Sequence, residues 1–245
     1  MKKFLKIFGL LFLNLVVALV IFGIAMNEEK PKTLSGQEAE LLAENMLQAL
    51  DIDAWNATNY ISWQFPGGHH YVWDKASNQV EVKWGNKTVI IPSQNHMSGK
   101  AWVDGEPSDD KDLLETAWTY FCNDSFWLIA HYKVMDPGTD RSAHLFEDGS
   151  LGLMVTYKSG GTTPGDSYLW KLDDNYRPTS YKMWVQILPI GGLEATWDGW
   201  VTLNSGAQVS TIHDMGIITT NLSPVQGATT LSEIGLSEDY FSSRM

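Results

Sequence analysis

The spacing of apolar residues changes twice along this chain. From Ile7 to Met26 every residue except Asn14 is apolar, a run long enough to span a membrane as a helix. From Ser35 to Leu50 the spacing becomes helical. Ala39, Leu42, Ala43, Met46, Leu47 and Leu50 form one stripe, and Ser35 with Glu38 makes an S-x-x-E box expected to cap the first turn. Beyond this helix the apolar positions mostly alternate. Ile61, Trp63 and Phe65 alternate with polar neighbours, Pro66-Gly67-Gly68 turns the chain, and His70 to Trp73 returns. Val80, Val82 and Trp84 alternate with Gln79, Glu81 and Lys83 before Gly85-Asn86 leads into Val89 to Ile91. Alternation of this kind predicts antiparallel strands with one buried and one wet face.

A second helix is expected over about Asp109 to Phe121, with Ser108 as cap and Leu113, Leu114, Ala117, Trp118 and Phe121 on its apolar side. Hairpins follow. Glu147-Asp148-Gly149 joins His144–Phe146 to Leu151–Tyr157, and Asp173-Asp174-Asn175 joins Ser167–Leu172 to Ser180–Leu188. Asn204-Ser205-Gly206 joins Leu193–Leu203 to Val209–His213. Helix, strands, helix, strands predicts an α+β fold. The expected architecture is an N-terminal transmembrane helix or signal, then a single domain with one long curved antiparallel sheet, a half-barrel, covered by two or more helices. Residues 1–26 are the anchor or signal, 27–34 a polar tether, 35–223 the domain and 224–245 a loosely ordered acidic tail.

Charge sharpens the topology. Lys2, Lys3 and Lys6 precede the apolar run, so the positive-inside rule keeps the short end cytoplasmic and sends the rest across. Gly23-Ile24-Ala25 offers a small-x-small cleavage site, so a cleaved signal is the alternative to a retained anchor. Either way the domain is exported. Setting those three lysines aside leaves 14 basic residues against 29 acidic ones, a field that disfavours nucleic acid and anionic headgroups.

Tryptophan is the most distinctive component. Trp63, Trp73, Trp84, Trp102, Trp170, Trp184, Trp197 and Trp200 fall in expected strands, and Trp118 lies on the second helix. The plain reading is that they fill a core. The sharper one is that these nine line an apolar ligand cavity. Two glycine-rich loops flank that sheet: Gly160, Gly161, Pro164, Gly165 and Asp166 in 158–166, and Pro189, Gly191 and Gly192 in 186–193.

With those elements in place, the chain resembles the bacterial lipoprotein-carrier superfamily, the LolA/LolB-like half-barrels, over about residues 35–220. The segments LWKLDDNYRPTSYKMWV (Leu169–Val185) and ATWDGWVTL (Ala195–Leu203) resemble the back half of those carriers. NDSFWLIA, SGGTTPGDSYLW and MWVQILPIGGLEATWDGW are more closely similar to segments of an uncharacterised family of exported proteins from Bacteroidota-type bacteria. The resemblance implies a hydrophobic cavity closed by helices, and implies no individual binding residue. Carriers are normally cleaved and soluble or lipidated, whereas this chain reads as tethered by a helix.

Catalytic signals are sparse. Gly165-Asp166-Ser167 matches the GDS block of a class of serine esterases, making Ser167 the one candidate nucleophile, but the block opens an antiparallel strand and no base is evident. The simpler reading is a loop closed by Asp166 or Ser167. His70 and Asp74 share a strand face, and a third metal ligand such as His96, His131 or His144 would have to come from elsewhere. Asp124 reads as a cap or turn closure, and Cys122, the sole cysteine, as an inert thiol. No metal or cofactor is implied. The expected function is non-catalytic binding of a lipid, acyl chain or other apolar ligand by an envelope domain held to the inner membrane and facing the periplasm, or released there if the signal is cleaved. The alternatives are an esterase-like hydrolase using Ser167, and a structural or interaction domain of an envelope complex.

Overall fold

A computed structural model describes residues 25–244 without a break, together with residues 12, 14 and 23. The apolar span read over Ile7–Met26 lies mostly outside the described residues. Among those residues no helix is long and apolar enough to cross a membrane.

Beyond residue 34, the described residues form α1 (Gln37–Ala49) and α2 (Ile52–Ala57). Six strands follow: β1 (Tyr60–Phe65), β2 (His69–Asp74), β3 (Gln79–Trp84), β4 (Lys87–Pro92), β5 (Lys100–Val103) and β6 (Glu106–Ser108). After α3 (Asp112–Ile129) come β7 (Thr139–Leu145), β8 (Leu151–Tyr157), β9 (Ser167–Leu172), β10 (Pro178–Trp184) and β11 (Leu193–Thr196). Short strands complete the fold: β12 (Val201–Thr202), β13 (Gln208–Val209), β14 (Ile212–Asp214), β15 (Thr219–Asn221) and β16 (Val225–Ala228).

The fold is mixed α+β and antiparallel, as the alternation predicts, but the expected single sheet is divided. One sheet has seven strands in the order β16-β1-β2-β3-β4-β5-β6, another has five in the order β11-β10-β9-β8-β7, and two-stranded ribbons pair β12 with β13 and β14 with β15. Among the described residues no closed barrel forms. The division follows from α3, which intervenes between β6 and β7 so that neither strand continues the other's ladder. Alternation reveals which strands exist, not which hairpins pair with each other.

Register places Trp63, Phe65, Tyr71, Trp73 and Trp84 on one face of the seven-stranded sheet, with Tyr60 and Trp102 on the other. Trp63 lies opposite Tyr71, Phe65 opposite His69 and Ile61 opposite Trp73, while Tyr71 and Trp73 face Val82 and Val80. Helix α3 packs on β3, β4 and β5, and its later residues reach the other sheet, with Phe126 4.7 Å from Tyr168 and Trp127 5.9 Å from Tyr181. Helix α1 covers β7 and β8. One hydrophobic core therefore runs through both sheets.

Four local expectations are corrected. The Ser35–Glu38 capping box does not form: Gly36 caps α1 without a side-chain bond, because Leu34 is already paired with Ala143 of β7. Ser108 ends β6 rather than capping the second helix. Its hydroxyl accepts from Asp110 N–H, and Asp110 in turn accepts from Asp112 N–H. That helix, α3, starts later than expected and runs to Ile129, past the expected end at Phe121. The strand expected over Leu193–Leu203 breaks at Trp197–Trp200, where Gly199 turns with φ 61° and a side chain would press on Ile212.

Both ends of the described chain act as straps. Residues 27–34, expected to be a tether, cross the outer face of the five-stranded sheet. Glu28 pairs with Lys182 and accepts from Trp184 Nε1, Lys30 reaches Ser167, Ser142 bonds Thr33, and Leu34 joins the β7 edge. Outward-facing Met154 and Leu169 are buried beneath this crossing. The expected loose tail instead adds β16 to β1 and then folds over the other sheet, where Arg244 and Tyr240 meet Glu81.

Candidate functional site

The structure gathers part of the expected tryptophan set and disperses the rest. Trp63, Trp170 and Trp197 are fully buried between the sheets. Trp73 packs edge-on to Phe121 at 5.3 Å, and Trp200 donates to the Trp197 carbonyl beneath the Arg177 guanidinium. Trp84 and Trp118 are half-buried around α3, the first against Tyr120 and the second stacked on His96. Trp102 and Trp184 alternate onto the outer faces, away from the core. Trp184 serves the N-terminal strap, and Trp102 borders an open cleft of about 390 Å³ with Ser108, Lys111 and Leu114.

The centre of the five-stranded half is a nest of rings. Trp197 lies 4.9 Å from Trp170, 5.6 Å from Tyr181, 5.1 Å from His131 and 4.5 Å from His213. Both histidines are completely buried. Burial pulls the His131 pKa down to about 3, against a smaller opposing effect of its bond to the Gln208 carbonyl. Burial pulls His213 down to about 4, opposed by the Thr196 and Trp127 carbonyls. Both are therefore neutral at physiological pH. Among the described residues, several polar atoms inside this core have no hydrogen-bond partner: the indole nitrogens of Trp63, Trp73, Trp170 and Trp197, His131 Nδ1 and the Tyr157 hydroxyl.

The two glycine-rich loops are brought together. Asp166 accepts from Thr163 within its own loop and from the Gln186 backbone N–H in the other, while the Gln186 side chain bonds the Pro164 carbonyl. Gly160 and Gly161 form the exposed outer bend of the first loop, and the Gly165 N–H bonds the Tyr157 carbonyl. Pro189 is exposed at the second, whose last glycines meet the strap. A Cβ on Gly191 would lie 2.4 Å from the Trp184 ring, and one on Gly192 2.5 Å from Glu28 Cβ.

Ser167 is 1 % exposed on the strapped outer face of β9. Its hydroxyl meets Lys30 Nζ at 2.7 Å and Thr156 at 2.8 Å rather than an imidazole. Burial pushes the Cys122 thiol up to about 12, the setting of an unreactive cysteine. Asp74 closes the turn at Ser77, and among the described residues no group of three His, Cys, Asp or Glu side chains converges as a metal site.

One cluster was missed. Asp124, 2 % exposed within α3, accepts from Tyr71 at 2.5 Å, and the same oxygen lies 2.7 Å from His69 Nδ1; Asn123 donates to the other oxygen. The sequence held a signal for it. Asp124 falls on the stripe of Leu114, Ala117, Phe121 and Leu128, where a carboxylate must find partners. Its partners, 55 and 53 residues away, are set by strand pairing and helix docking.

Comparison with known proteins adds little. No family model matches the chain, and no curated protein matches it. Among solved structures it is similar to a DUF1329 family protein from Desulfovibrio piger, at 11 % identity and a TM-score of 0.42, covering 85 % of this chain and 98 % of that one. A likeness so distant supports no statement about the site.

Proposed function

We propose that the domain binds a lipid or acyl chain between its two sheets, as a carrier-like module exported and tethered through the N-terminal apolar span. The carrying observation is the set of unpartnered donors inside an aromatic interior. Buried indole N–H groups normally find partners, and leaving one unpaired costs about 1–3 kcal/mol. Four such groups in one core favour a guest with an apolar body and a few oxygen acceptors, such as an acyl ester or fatty acid. Aromatic rings fill the space in the absence of that guest, so binding displaces rings rather than filling an open hole. The bridged loops 158–166 and 186–193 lie beside the strap and govern access. Native mass spectrometry of residues 27–245 purified from a bacterial envelope tests this. Co-purifying lipid, lost on Trp170→Ala in a variant that stays folded, supports the reading; a clean protein mass that takes up no added lipid removes it.

A further inference from the structure

We propose that His69, held by Asp124, is a general base at the exposed end of the aromatic face, where it hydrolyses a carboxylic ester whose apolar part rests on Phe65, Trp84 and Tyr120. This rests on a different cluster from the interior binding reading and stands without it.

Burial and the Asp124 charge raise the Tyr71 pKa, so its hydroxyl keeps its proton and donates. Asn123 donates to the second oxygen of Asp124, leaving the carboxyl group an acceptor on both sides. With Tyr71 and Asn123 donating to Asp124, His69 Nδ1 is placed to donate to the same carboxylate, which leaves Nε2 as the ring's outward nitrogen. Fixing one tautomer and one orientation in this way is what a carboxylate does for a catalytic imidazole.

The surroundings suit an apolar ester. The His69 ring is stacked 4.1 Å from Tyr120 and lies 6.4 Å from Phe65; Trp84 meets Tyr120 edge-on at 5.5 Å. All four are only part-buried, in contrast to Tyr71 and Asp124 below them. Nε2 lies over the exposed Pro66-Gly67-Gly68 turn, since a Cβ on Gly67 would be 3.8 Å from it.

The chemistry balances with water as the only co-reactant. Nε2 takes a proton from water as the water oxygen bonds to the ester carbonyl carbon. The resulting oxyanion collapses, the carbonyl carbon–alkoxy oxygen bond breaks, and the proton on Nε2 passes to the departing alkoxide. The products are a carboxylic acid and an alcohol. His69 is the catalytic residue and Asp124 a positioning residue.

The test uses the full chain in detergent with p-nitrophenyl butyrate as probe. Saturable hydrolysis is expected. His69→Gln should lower kcat/KM by about 100-fold or more, the usual worth of a general base. His70→Gln, on the opposite face of the same strand, should leave it unchanged. Asp124→Asn should lower kcat while KM stays put, a split that mere loosening of the fold would not give. Should His69→Gln unfold, His69→Ala assayed with added imidazole replaces it, and recovery of hydrolysis is the expected result. Equal hydrolysis by the wild-type and His69→Gln chains, a rate linear in probe concentration, or no recovery with imidazole overturns the proposal.

Discussion

The two large sheets turn one face toward a shared aromatic core, and each has its other face crossed by one end of the chain. The means of attachment differ. On the seven-stranded sheet the C-terminal strap converges on one carboxylate, Glu81, 1 % exposed and met by Lys83, Arg244 and the Tyr240 hydroxyl. On the five-stranded sheet the N-terminal strap spreads its bonds from Glu28 to Leu34, most of them exposed. A buried charge demands its partners together, since stripping one leaves the rest uncompensated. Spread, solvent-screened bonds can be released one at a time. The first strap is therefore built as a fixed cover, and the second as one that can peel beside the loops flanking the proposed access route.

The largest effect is expected from a substitution in the core that the two sheets share. Trp170→Ala should destabilise the fold by about 3–5 kcal/mol, read by urea denaturation, with both halves melting in one transition because the core is continuous. Separate transitions would show two independent units.

Acid comes next. His131 and His213 have folded-state pKa values of about 3 and about 4, below the ordinary 6.5, so the unfolded chain takes up protons that the folded chain refuses. Their contribution is complete above pH 6.5 and is lost on acidification toward those folded values, by about 1.4 kcal/mol per pH unit for each histidine. Urea midpoints measured from pH 7 to pH 5 should fall accordingly, and less steeply in His131→Leu. An unchanged slope in that variant contradicts the assignment.

The straps give smaller effects. Tyr240→Phe removes a charge-assisted bond to Glu81 and should cost about 1.5–3 kcal/mol in thermal or urea unfolding. Lys182→Ala should cost less than about 1 kcal/mol, yet speed hydrogen exchange at residues 28–34 while leaving the C-terminal strap unchanged. Equal costs for the two substitutions would erase the distinction between the straps.

Much of this arrangement was legible in the sequence. The alternation around Trp63, Trp73 and Trp84 and the acidic turns at Asp148 and Asp173 mark the hairpins that the structure contains. What the sequence withheld depends on pairing at long range. Trp102 and Trp184 look like core residues by type, but strand alternation carries them outward. The NEEKPKT segment (27–33) has the composition of a linker and acquires its role only against Lys182, Ser167 and Ser142. Asp124 reads as a cap or turn closure because its partners His69 and Tyr71 lie on β2, more than 50 residues away in sequence.

The central claim is that the aromatic interior accepts an acyl chain. Titrating residues 27–245 with a fatty acid brominated along its chain, while following tryptophan emission, tests it directly because bromine quenches an indole only at close range. Saturable quenching, reversed by the unbrominated acid and weakened in Trp197→Phe, is the predicted result. Emission that does not change, or that falls in simple proportion to added ligand, would contradict the account.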